Sequence, residues 1–159
     1  MANKSTIDDL LSRASPREKE LLPADVQSTV SALVERVAAL ATTLHRLDQD
    51  ASGATLDSLD QRLSTLKQDA QSAERDRRIA LLERQRTTLR DLRDRRAALL
   101  SQLESASLAL ENLKLDMVRF RSAGVTSAFE DVTSATREAR AVSRDIGHLL
   151  DAADDVRRL

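Results

Sequence analysis

The chain has no cysteine, tryptophan or tyrosine, and its 159 residues include only two phenylalanines, three glycines and two prolines. Without cysteine there are no disulfides, no thiolate catalysis and no cysteine-based metal site, which fits a cytoplasmic protein. The shortage of aromatic rings argues against a multilayered globular core. It favours a thin helical one, filled by Leu, Val, Ile and Ala. With so little Gly and Pro there are few turns, so the chain must consist of a few long elements. An excess of one charge is also missing: 25 basic residues face 26 acidic ones, for a net charge of −1. No overall field therefore draws the chain to nucleic acid or an acidic membrane. No apolar run reaches the roughly 18 residues of a membrane span, so no membrane insertion by this segment is expected.

What the sequence does contain is periodicity. Leu82, Leu89, Arg96, Leu103, Leu110 and Met117 recur every seven residues, each followed three residues later by Gln85, Leu92, Leu99, Ala106, Leu113 and Phe120. This unbroken 3,4 spacing specifies a helix whose apolar stripe faces another helix. A second seam runs through Val26, Val30, Leu33, Val37, Leu40, Leu44 and Leu47. A third starts at Leu56, Leu59, Leu63 and Leu66. A fourth, rich in small residues, runs from Val125 through Ala128, Val132, Ala135, Ala139, Val142, Ile146 and Leu149 to Ala153 and Val156. Small residues there permit close approach by a partner helix, and Gly147 inside that helix can mark a close contact.

Punctuation places the elements. Ser5 with Asp8, then Ser15-Pro16-Arg17-Glu18 as a capping box with Pro at the first helical position, give a broken helical lead-in over 1–23 that ends before Pro23. Met1 to Lys4 reads as a start sequence outside the fold. Gly53 and Gly124 are stop signals, Thr55 caps one helix, and Thr126 or Ser127 starts the last. The expected class is all-α, an extended antiparallel coiled coil. One long central helix, 55–122, is shared by an N-terminal hairpin, 24–88, and a C-terminal hairpin, 89–159. Such a helix would be on the order of 100 Å long. The apolar phase changes between Ala73 and Leu82, where Arg77 and Arg84 take positions expected to be apolar. The two halves of the helix should therefore face different partners.

Two-layer pairing buries little surface, and Leu100, Leu108, Leu115 and Val118 lie off the main seam. They are the expected oligomer interface of a homodimer, and other protein partners remain open. Nine arginines crowd the stretch from Arg75 to Arg96. Of these, Arg77, Arg78, Arg84 and Arg86 are candidates for a phosphate-bearing partner, a nucleic acid or an anionic lipid. Interleaved acids can instead pair with them along the helix, and no aromatic residue stands near to stack on bases, which counts against nucleic acid. Arg96 sits at a seam position, where a buried arginine needs a carboxylate; Asp145 and Asp151 are candidates for a register-fixing pair. His45 with Asp48, and His148 with Asp151, each supply half of a metal site and no more. Asp8-Asp9 and Asp154-Asp155 lack a concave apolar setting that would shift their pKa values. No catalytic residue, metal site or cofactor is assigned.

Three segments carry a likeness: 78–86 (Arg-Ile-Ala-Leu-Leu-Glu-Arg-Gln-Arg), 110–119 (Leu-Glu-Asn-Leu-Lys-Leu-Asp-Met-Val-Arg) and 133–140 (Thr-Ser-Ala-Thr-Arg-Glu-Ala-Arg). Together they resemble the helical C-terminal region that follows the catalytic domain in some bacterial eukaryotic-like serine/threonine protein kinases. The resemblance implies a regulatory or oligomerising tail. Every catalytic motif of the kinase is absent, and His45-Arg46-Leu47-Asp48 matches the catalytic loop by letters alone. The expected function is a non-catalytic coiled-coil oligomerisation or scaffolding module. The alternative is a phosphate-partner binding module built on the arginine-rich mid-helix.

Overall fold

The computed structural model describes residues 2–50, 55–123 and 128–155, with side chains described over 3–49, 55–122 and 129–152. These residues are all-α, with no strand among them. In chain order they form α1 (Ala2–Ser12), α2 (Pro16–Leu21), α3 (Val26–Asp50), α4 (Leu56–Gln68), α5 (Ala73–Ala123) and α6 (Ala128–Asp155). The expected stops at Gly53 and Gly124, and the starts at Thr126 or Ser127, lie outside the described residues.

The lead-in forms as two short helices. At the head of α2 the capping box closes: the Glu18 N–H donates to Ser15 Oγ at 3.3 Å and the Ser15 N–H donates to Glu18 Oε2 at 2.6 Å. That second bond holds the Glu18 carboxyl below its ordinary pKa. Leu22 then turns extended ahead of Pro23, as the proline ring requires. α1, however, begins before Ser5, which is therefore interior to a helix and not its cap. The first residues also belong to the fold: Lys114 Nζ donates to Asn3 Oδ1 at 3.2 Å, Lys4 pairs with Asp8, and Ile7 is fully buried.

The expected single helix over 55–122 is two helices, broken at 69–72. Thr55 caps α4 by accepting from the Ser58 N–H. α4 ends at Asp69, whose backbone is extended, and α5 starts afresh where Ser72 Oγ accepts from the Arg75 N–H at 3.1 Å. Arg75 Nη1 donates to the Asp69 carbonyl at 2.8 Å, so the break leaves that acceptor satisfied. The change of apolar phase is the physical reason. In a continuous helix the two stripes would point apart, whereas a break at Asp and Ser, residues that compete with helical hydrogen bonding, lets one stripe fold onto the other.

The chain divides into two compact units, Met1–Thr42 with Ser101–Leu159, and Thr43–Leu100. This division differs from hairpins at 24–88 and 89–159, because α3 and α5 each contribute to both units. In the unit 43–100, α4 packs on the first half of α5, a place the sequence reading gave to 24–50. Leu59, Leu63 and Leu82 are buried together, with Leu66, Ile79 and Leu89 packed against them. Asp60 pairs with Arg86 at 2.6 Å and Lys67 with Glu83 at 3.2 Å. One residue number falls as the other rises, so α4 and α5 are antiparallel.

The other unit gathers α1, α2, most of α3, the end of α5, and α6. Its buried residues follow the sequence seams: Val26, Val30, Leu33 and Leu40 on α3; Ala106, Leu110, Leu113, Met117 and Phe120 on α5; Val132, Ala135, Ala139 and Ile146 on α6. Each fully buried Leu, Val or Ile side chain contributes about 1.5–3 kcal/mol. α3 and α6 run in the same direction, since Asp25 pairs with Arg140 while Arg36, further along α3, donates to the Ser143 carbonyl further along α6.

That last contact explains Gly147. A Cβ built there would lie 3.1–3.4 Å from the Arg36 guanidinium, so the glycine leaves room for the arginine to reach a backbone carbonyl of α6. Glycine inside a helix costs about 1 kcal/mol relative to alanine. Gly147→Ala should therefore gain stability by about 0.5–1 kcal/mol only when Arg36 has first been replaced by Ala. A double-mutant cycle on denaturant midpoints reads this coupling. Additive effects would mean that the guanidinium does not depend on the space.

Candidate interaction surfaces

The outer face of α5 is built by the same arithmetic as its inner seam. Glu104, Leu108, Glu111, Leu115, Val118 and Ser122 follow one another at spacings of 4,3,4,3,4, so they share one stripe, and all are exposed. Leu108 and Leu115 are each 54% exposed and Val118 45%. Leu100, 39% exposed, lies on the same helix but in the unit 43–100. The four candidate interface residues are thus exposed, and three stand together in one unit. Singly exposed leucines are ordinary on protein surfaces; several at heptad spacing on one helix make a surface that another helix can cover.

The four candidate phosphate ligands divide. Arg78 Nε donates to Glu74 at 3.0 Å, and Arg86 lies half-buried against Asp60. Arg77 and Arg84, one heptad apart, are exposed and have no ion pair among the described residues. Two free guanidiniums remain where the sequence offered four.

Beside them, between α4 and the start of α5, lies an open groove of about 880 Å³. It is lined by Gln61, Arg62, Thr65, Leu66, Asp69, Arg78, Leu81 and Leu82. Leu81 is 67% exposed, the highest value among the described large apolar residues. Sequence reasoning passed over Leu81 and Arg62. The available signal for Leu81 was its place directly before seam residue Leu82, where period 3.6 turns it out of the core.

Arg96 is neither buried nor paired with Asp145 or Asp151. Its side chain is 47% exposed and its Nε donates to Asp48 of α3 at 2.6 Å. The long aliphatic stem lets the guanidinium leave the seam and reach solvent at the edge of the helix pair. Asp48, accepting this bond, raises the Arg96 pKa further above its ordinary value. His45 Nε2 lies 3.1 Å from Gln49 Nε2, and His148 and Asp151 are exposed. No group of three or more His, Cys, Asp or Glu side chains among the described residues is placed to hold a metal. Asp8 is engaged by Lys4, Asp9 is exposed, and the side chains of Asp154 and Asp155 lie outside the described residues. No described helix is long and apolar enough to cross a membrane.

One carboxylate stands out. Burial, then the like charge of Asp131 and, more weakly, that of Glu138, hold the Asp116 carboxyl above its ordinary pKa against the opposing pull of Arg119. Comparison of the chain with family models, with curated proteins and with solved structures finds no match in any of the three. The surfaces just described therefore carry the functional argument.

Two substitutions check these electrostatics. Arg96→Met should leave the thermal midpoint essentially unchanged, because an exposed ion pair contributes little; a large drop in melting temperature would restore the buried pair. Asp116 binds its proton more tightly folded than unfolded, so its ionisation penalises folding increasingly as pH rises from the unfolded value to the raised folded one, and fully above it. Asp116→Asn should therefore melt at a higher temperature than the parent at pH 7. That gain should fade on acidification and be lost below about pH 3, where the parent carboxyl is largely protonated in both states.

Proposed function

We propose that this chain is a non-catalytic helical module that self-associates in coiled-coil fashion and holds attached domains together. In line with the sequence resemblance, we propose that it forms the regulatory tail of a bacterial eukaryotic-like serine/threonine kinase. The observation that carries the reading is the outer stripe of α5, where Leu108, Leu115 and Val118 stand exposed at heptad spacing on a helix whose other seam is already used. A helix with apolar residues on two faces is suited to two partners, and its own chain supplies one of them. Bringing two kinase domains together raises the effective concentration for phosphorylation in trans.

The expected solution mass, from light scattering behind size exclusion, is twice the 17.6 kDa of the chain at dilute and concentrated loading. Leu108→Glu with Leu115→Glu should reduce it to the single-chain mass while leaving the helical circular dichroism in place. A parent chain that stays monomeric at every loading would overturn self-association.

A further inference from the structure

Two exposed surfaces have opposite charge chemistry around the same apolar content. The outer stripe of α5 presents Leu108 and Leu115 with Glu104 and Glu111. Glu104 has no ion pair among the described residues, and Glu111 has only a loose one to Lys114 at 3.8 Å. The α4/α5 groove presents Leu66 and Leu81 with Arg62, which has no ion pair among the described residues, Arg78, which shares its charge with Glu74, and the single acid Asp69 in its lining. The two also match in length. From Glu104 to Leu115 the ridge is about 16 Å long at helical rise, and the α4 wall from Gln61 to Asp69 is about 12 Å. A pair of antiparallel helices with an apolar groove between them lacks the third helix that would cover it. An acidic, leucine-bearing helix is the occupant whose charge fits that rim.

We infer that the groove of one copy receives the outer α5 ridge of a second copy, with Glu104 and Glu111 meeting Arg62 and Arg78 around Leu108, Leu115, Leu66 and Leu81. This rests on the self-association proposed above and specifies its geometry. The contact is made reciprocally, each copy's ridge in the other's groove, so that two copies close as a dimer, and it is not the α5 stripe paired with its own counterpart. It draws Leu81, the most exposed large apolar side chain among the described residues, into the same interface as Leu108 and Leu115. The acids on the ridge are needed because they steer the helix to the arginines and repel a second ridge.

Charge-swap complementation tests it. The Glu104→Arg/Glu111→Arg variant has basic ridge and basic groove; the Arg62→Glu/Arg78→Glu variant has acidic ridge and acidic groove. Each alone should run as a monomer by light scattering, and an equimolar mixture should regain the association of the parent, because each variant's ridge then meets a groove of opposite charge. Restoration also shows that both variants are folded. If Arg62→Glu/Arg78→Glu associates as the parent does, or if the mixture stays monomeric, the ridge-to-groove contact is overturned while self-association through the α5 stripe stands. A parent that never associates removes both.

Discussion

The inner seam of α5 is the constraint on which everything else in this protein depends. Its apolar residues recur at 3,4 spacing from Leu82 to Phe120, and buried members of that one stripe supply the core of both compact units. A helix of 51 residues with such a stripe is not stable bare in water, since the stripe must be removed from solvent along its length. No other described helix is long enough to do this, so cover is divided. α4 lies on its first part, and the second part takes its place in the unit that also holds α1, α3 and α6.

That division explains features that look unrelated in the sequence. The chain breaks at 69–72 because the apolar phase on either side differs, and folding back satisfies both phases where continuation satisfies one. The small residues of α6, Ala135 and Ala139, are buried. Gly147 takes this further, giving up helix propensity so that Arg36 can reach across from α3. Electrostatics then decorates a frame set by packing. Most of the ion pairs are exposed and fix little, and the arginine-rich start of α5 is partly neutralised by Asp60 and Glu74. Among the described residues without an ion pair, Arg62, Arg77 and Arg84 in the unit 43–100 and Glu104 in the other unit are charges available to a second molecule.

Sequence by itself determined the helical class, the faces and two of the caps. Periodicity decides which side chains can be buried together on one helix, and most of the buried residues of α3, α5 and α6 belong to the seams read from it, between Val26 and Leu40, Leu82 and Phe120, and Val132 and Ile146. Ser15 and Thr55 cap as their local chemistry dictates. The off-seam leucines of α5 are exposed, as their angular position requires. Only the tertiary structure decided which helix covers which. A seam names a face but not its partner, and α3 and α4 offer equally apolar stripes to the start of α5. Likewise, position 96 on a seam implied burial, but burial depends on how far the covering helix extends, and near the end of α3 an arginine stem reaches water. The partnership of Arg36 with Gly147, 111 residues away in sequence, and the groove that exposes Leu81 arise from helices distant in the chain or turned back on each other. Local periodicity carries no term for such distances, which is why packing alone could settle them.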